Sequence, residues 1–136
     1  MTPYFYQKQE IMKQLTLFMF FSLFLTAACA QSPSNQVLPA KEYQSALTAE
    51  DDKYFIDVRT PGEYSAGHIE GAVNWNFYDN DFITKFEDLD KNKPVYLYCR
   101  SGGRSGKAAR QLQSLGFQKV VDLKGGILAW PYELEK

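Results

Sequence analysis

The chain has 136 residues, with 15 Lys and Arg against 16 Asp and Glu and a formal charge of −1. That length accommodates one domain, and a near-neutral chain lacks the positive excess needed to bind a nucleic-acid backbone. With 45% hydrophobic and 23% charged residues it is neither mostly disordered nor collagen-like. Two cysteines, Cys29 and Cys99, give neither a disulfide scaffold nor a zinc site built from thiolates alone.

Residues 15–28 (LTLFMFFSLFLTAA) are uncharged and apolar. The run is shorter than the roughly 18 residues of a membrane span and reads as the core of a signal peptide over residues 1–28. Lys13 precedes it, and Met12 opens a more ordinary basic leader than Met1, so Met12 is an alternative start of synthesis. The run ends in Ala27-Ala28-Cys29, which resembles the lipobox of bacterial lipoproteins, although Leu25 stands one place early and Thr26 occupies its position. The resemblance implies acylation of Cys29 as the first mature residue, so that a lipid is the only membrane attachment. Ala28-Cys29-Ala30 is alternatively an Ala-x-Ala site that releases a soluble protein, and a third reading leaves the segment uncleaved as an anchor. All three place the domain outside the cytoplasm, as a periplasmic or lipid-anchored protein. Residues 29–36, ending in QSPSNQ, are polar and aperiodic and are expected to form a tether. The folded domain is expected over residues 37–136.

Beyond the tether, short apolar runs alternate with segments of helical period, the pattern of an α/β domain with a parallel sheet. Pro39 opens a helix with Ala40, Tyr43 and Leu47 on one side. Residues 54–58 form a continuous β-rich run of the kind buried on both faces. Thr60, Pro61 and Glu63 read as N-cap, first helical residue and capping-box partner. Gly67 and Gly71 bracket a turn into a short strand at residues 72–75. A helix is predicted over residues 81–89, with Phe82, Ile83, Phe86 and Leu89 on one face and Asn92 and Pro94 closing it. Residues 95–98 are a second buried strand, followed by a helix from about Ser105 to Leu115 that stops at Gly116. Residues 119–123 give the last strand, and Gly125-Gly126 turn into a short helix ending near Trp130-Pro131.

Cys99-Arg100-Ser101-Gly102-Gly103-Arg104-Ser105 lies between a strand and a helix, at the strand end where open α/β sheets hold their ligands. Glycines allow a tight loop whose amides converge on one point, and the helix amino terminus adds partial positive charge there. A thiol with a pKa of about 8.5 is only about 3% ionised at pH 7, and a fall of about two units makes the thiolate dominant. The amides of residues 100–104, the helix end and the two arginines are sources for that stabilisation. The loop is therefore expected to hold a reactive thiolate in an anion-binding cradle. A free cysteine is otherwise a small buried hydrophobe, a reading that leaves the neighbouring arginines and glycines unexplained.

Three motifs carry a resemblance to a known family. Asp57-Val58-Arg59-Thr60-Pro61-Gly62-Glu63-Tyr64 through Gly67-His68-Ile69-Glu70-Gly71-Ala72 is similar to the first signature of single-domain rhodaneses, the Cys99 loop to their active site, and Leu123-Lys124-Gly125-Gly126-Ile127 to Trp130 to their closing motif. The resemblance covers residues 38–133. It implies a central parallel sheet of about five strands with helices on both faces. It also implies a thiosulfate sulfurtransferase in which Cys99 takes a sulfane sulfur from a small anionic donor, holds it as a persulfide and passes it to cyanide or a thiol. Arg100 and Arg104 are then expected to bind the donor anion, with Ser101, Gly102 and Gly103 completing the cradle, and Gly125 and Gly126 to shape a second wall. No metal or organic cofactor is implied, and the domain is expected to act as a monomer, with a protein thiol as a further candidate partner.

The remaining polar residues read as structural. Asp57 and Arg59 are expected to position the loop through hydrogen bonds or an ion pair, and Lys107 and Arg110 to lie on a solvated helix face. His68 sits in a turn where an imidazole ties down backbone, and Trp75 and Trp130 read as core or rim aromatics. Thiolate phosphatases also use a cysteine loop on an α/β sheet, but they place Arg where this chain has Ser105, and Arg104 comes one residue early. Arsenate reduction meets the same objection, and a dithiol role lacks a Cys-x-x-Cys pair. A non-enzymatic alternative is a persulfide carrier or thiol sensor.

Overall fold

The computed structural model describes residues 33–136, together with Lys8, Gln9 and Met12. The signal, cleavage and lipidation readings, Cys29 among them, lie outside the described residues. Five strands, β1 (Ser34–Leu38), β2 (Tyr54–Asp57), β3 (Val73–Asn74), β4 (Val95–Tyr98) and β5 (Lys119–Leu123), alternate with three helices, α1 (Ala40–Ala49), α2 (Pro61–Ser65) and α3 (Gly103–Ser114). The strand order is β1-β5-β4-β2-β3 and every pairing is parallel. Parallel neighbours require crossovers that lay helices over the sheet, and helices cover both faces.

Central β4 is buried along its whole length. Its alternation sends Val95, Leu97 and Cys99 into one core with Ala108, Ala109 and Leu112 of α3, and Tyr96 and Tyr98 into the other with Tyr43 and Leu47 of α1. The expected helices at Ala40 and Thr60 form, the latter with both halves of its capping box in place. Helix α3 begins at Gly103, before the expected Ser105.

Two expectations are corrected. Residues 34–36, read as the end of a tether, are strand: β1 pairs with β5 from Ser34 opposite Lys119 to Leu38 opposite Leu123. Its middle residues are exposed, so main-chain hydrogen bonds hold it on the edge. A strand that buries little apolar side chain leaves no alternating pattern to read. The expected helix at residues 81–89 shrinks to a single 3-10 turn, Thr84–Phe86, among tight turns. Phe82 and Phe86 do reach the core, in edge contact at 5.3 Å, and Trp75 packs on Phe86 at 4.8 Å. Lys91 Nζ donates to the carbonyl oxygens of Phe86, Glu87 and Leu89, and Thr84 Oγ1 donates to Asp81 O. The backbone here closes 3-10 hydrogen bonds, Glu87 N to Thr84 O at 3.1 Å and Leu89 N to Phe86 O at 3.3 Å, and the aromatic spacing reports burial only.

Leu112 anchors α3 and is fully buried. Leu112→Ala is expected to destabilise the domain by about 3 kcal/mol, read as a lower urea midpoint with an unchanged slope.

Candidate active site

Strand β4 ends where Cys99 begins a loop that turns back beneath α3. Gly102 takes φ +102°, a conformation open to glycine, and this aims its amide at the Cys99 sulfur, Sγ, at 3.1 Å. The Ser105 hydroxyl donates to the same sulfur at 3.4 Å. The Cys99 residue is 1% exposed. Burial alone raises the pKa of its thiol, but the Ser105 hydroxyl and the amides of Ser105, Gly102 and Ser101 outweigh burial and hold it below the ordinary thiol value. The amino terminus of α3, a helix of 12 residues, adds partial positive charge on the same side.

A distant segment sets the shape of this loop. Ile127 N donates to Cys99 O at 2.9 Å and Leu128 N to Arg100 O at 3.2 Å, so the loop carbonyls are drawn away from the sulfur while its amides face inward. Such close backbone approach requires Gly126: a Cβ there would lie 2.5 Å from Cys99 O and from the Arg100 carbonyl, at φ +62°. Gly125 and Gly126 therefore brace the cradle from behind.

Arg104, expected to bind an anion, is engaged by Glu63. Its guanidinium forms two hydrogen bonds of 2.7 Å to that carboxylate, which holds Glu63 down at about 2. Glu63 also accepts from Thr60 N at 3.1 Å, so one carboxylate caps α2 and fixes the first turn of α3. The Cys99 charge still contributes to raising the Arg104 pKa, so this cation is within electrostatic reach of the sulfur. Arg100, Ser101 and Gly103 are exposed along the loop.

Asp57 and Arg59 form a buried ion pair, with Arg59 Nη2 at 2.6 Å from Asp57 Oδ2, and Arg59 Nη2 also donates to Gly67 O at 2.8 Å. The pair ties the end of β2 to the turn around His68. That imidazole stacks on Tyr64 at 3.7 Å and stands 3.5 Å from the Glu135 carboxylate, fastening the carboxyl terminus. Trp130 meets Tyr43 edge-on at 6.3 Å. Lys107 and Arg110 lie exposed on α3.

Two residues went unnoticed as contributors in the sequence. Ser105 closes the loop motif and opens the expected helix, with no role at the sulfur expected for it, yet its hydroxyl reaches the sulfur. Asp122 lies in β5, opposite Leu97 of β4, and is 3% exposed. Burial pushes its carboxyl up to about 6, against smaller opposing effects of the Ser105 hydroxyl and the Leu123 amide. Its signal was present: an acid inside the apolar run Val120-Val121-Asp122-Leu123.

Gly126→Ala is expected to abolish enhanced alkylation of Cys99 by iodoacetamide near neutral pH, because the added methyl group forces the loop carbonyls to move. For Asp122 the folded protein holds a proton that the unfolded chain releases, so stability falls as pH rises from the ordinary carboxylate range through about 6. Asp122→Asn removes this loss. The variant is expected to gain about 2 kcal/mol over the parent at pH 7 and little at pH 4, read from denaturant unfolding at both values.

Residues 39–133 match the rhodanese-like domain family. The chain is 41% identical over 75 residues to YqhL of Bacillus subtilis, covering 55% of this chain and 58% of that protein. It is 31% identical over 93 residues to a sulfurtransferase of Allochromatium vinosum, covering 68% of this chain and 85% of that protein. The crystal structure of a rhodanese-like domain protein from Staphylococcus aureus is similar with a TM-score of 0.64 and 28% identity, over 74% of this chain and 96% of that one. With the five-stranded parallel sheet and the cysteine cradle already described, these matches support sulfur transfer as the chemistry of this chain, which belongs to the rhodanese-like family.

Proposed function

We propose that Cys99 is the nucleophile of a thiosulfate sulfurtransferase. The observation that carries this reading is the convergence of the Gly102 amide, at 3.1 Å, and the Ser105 hydroxyl, at 3.4 Å, on one sulfur. A thiolate so held attacks the sulfane sulfur of the donor. The new bond joins Sγ to that sulfur, the sulfur–sulfur bond of thiosulfate breaks, and sulfite leaves with the electron pair. The terminal persulfide sulfur then rests toward the amides of the loop, fixed donors that need no reorganisation when charge arrives. Cyanide or a thiol attacks that terminal sulfur, and Cys99 recovers its electron pair as thiolate.

The arginines divide the work in this scheme. Arg104 is committed to Glu63, so it orients the first turn of α3 and contributes field. Arg100 is exposed at the loop, where it is placed to meet an incoming anion. Near-complete burial of Cys99 also favours a second reading, a carrier that shelters its persulfide for a protein thiol. The amino-terminal segment extends the proposal to export and acylation at Cys29, for which mass spectrometry of the mature protein is the test.

Incubation with thiosulfate is expected to add one sulfur atom to intact protein, mapped to Cys99 and removed by cyanide. Cys99→Ser is expected to show neither the added mass nor thiocyanate formation. Multiple turnovers with thiosulfate and cyanide select the enzyme, and a stable persulfide without turnover selects the carrier. No added sulfur on Cys99 from any sulfane donor overturns both readings.

A further inference from the structure

Asp122 is a buried acid on the strand beside β4 that the scheme above does not use. Strand alternation places Val120 in the core beneath α3, and Val121 and Leu123 in the opposite core, so the side chain of Asp122 faces α3 along with Leu97 and Cys99. Gly106, the residue after Ser105, sits over it: a Cβ built on Gly106 would stand 3.7 Å from Asp122 Oδ2. Asp122 Oδ1 is buried and has no hydrogen-bond partner among the described residues, an uncommon state for a carboxylate oxygen inside a core.

Ser105 is fully buried and immediately precedes Gly106 on α3. It has one hydroxyl proton. That proton is donated to Cys99 Sγ at 3.4 Å, while the same hydroxyl also stabilises the ionised form of Asp122. The two anions therefore compete for a single donor. We infer that Asp122 is a positioning residue that governs the nucleophile through Ser105, withdrawing the hydroxyl from Cys99 when ionised and releasing it to Cys99 when protonated.

The other groups around Asp122 leave this competition in place. Arg110 of α3 has its Nη1 3.9 Å from the same Cβ point on Gly106, but it is exposed and forms no ion pair with Asp122 among the described residues. From α1, Tyr43 is buried and its own pKa is raised, first by burial and then by the Asp122 charge. On β1, the residue in register is Val37. Loss of a proton from Cys99 is thus linked to uptake of one by Asp122, and the charge in the buried space changes less than either titration alone would produce.

This inference rests on Cys99 acting as a thiolate and is testable without any sulfur donor, so it can fail or stand apart from the proposed sulfur transfer. The measurement is the rate of iodoacetamide alkylation at Cys99 in the full chain, followed by peptide mass spectrometry across pH 5 to 10. The parent is expected to rise in two broad steps. Asp122→Asn is expected to rise in one steeper step, displaced to lower pH by about one unit, the size of a nearby like-charge effect. Ser105→Ala is expected to displace the rise to higher pH and to reduce the effect of Asp122→Asn to less than half. A profile for Asp122→Asn that superposes on the parent, or an undiminished shift in the Ser105→Ala background, overturns the inference. Should Asp122→Asn not fold, a single-step profile in the parent does the same.

Discussion

The amide of Ile127 donates to the carbonyl of Cys99 at 2.9 Å, and the rest of the site depends on that hydrogen bond. A peptide unit is rigid, so pulling carbonyls out of a loop turns its amides the other way. Cys99 lies at the end of a fully buried strand, where little water can solvate an anion. Its stabilisation has to come from backbone and from one hydroxyl, and the backbone can supply it only if its carbonyls are occupied elsewhere. Gly126 makes that possible by having no side chain at the point of contact.

Around this centre the domain repeatedly uses one polar group for two tasks. Glu63 closes the capping box of α2 and clamps Arg104 on α3. Arg59 neutralises Asp57 and also holds the Gly67 carbonyl. Buried polar groups are costly unless satisfied, and a single charged residue that serves two partners limits how many such groups the small core must contain. Asp122 departs from this economy, since one of its oxygens is unmatched among the described residues, and it faces Gly106, the residue after Ser105.

Much of this was legible in the amino acids. The runs at Tyr54–Asp57 and Val95–Tyr98 are apolar because both of their faces are covered, and that leaves a plain record. The cap at Thr60 is local chemistry and could be read directly. Ser34–Leu38 could not, because an edge strand held by backbone carries no side-chain pattern. Phe82 and Phe86 marked a core contact without revealing that Lys91 would capture the neighbouring carbonyls. At the site, Cys99 and its loop declared themselves by composition. The pairing of Arg104 with Glu63 joins residues far apart in the chain, and nothing in either motif announces which arginine is already occupied.

The brace behind the loop also has a meaning for synthesis. A polypeptide emerges amino end first, so β4 and its cysteine appear before Gly126–Ala129 does. Until that final turn is made, the carbonyls of Cys99 and Arg100 lack the Ile127 and Leu128 amides that hold them. The loop around Cys99 thus takes its final shape from a segment that follows it in the chain, and its geometry is settled only once residues on both sides of α3 and β5 are in place.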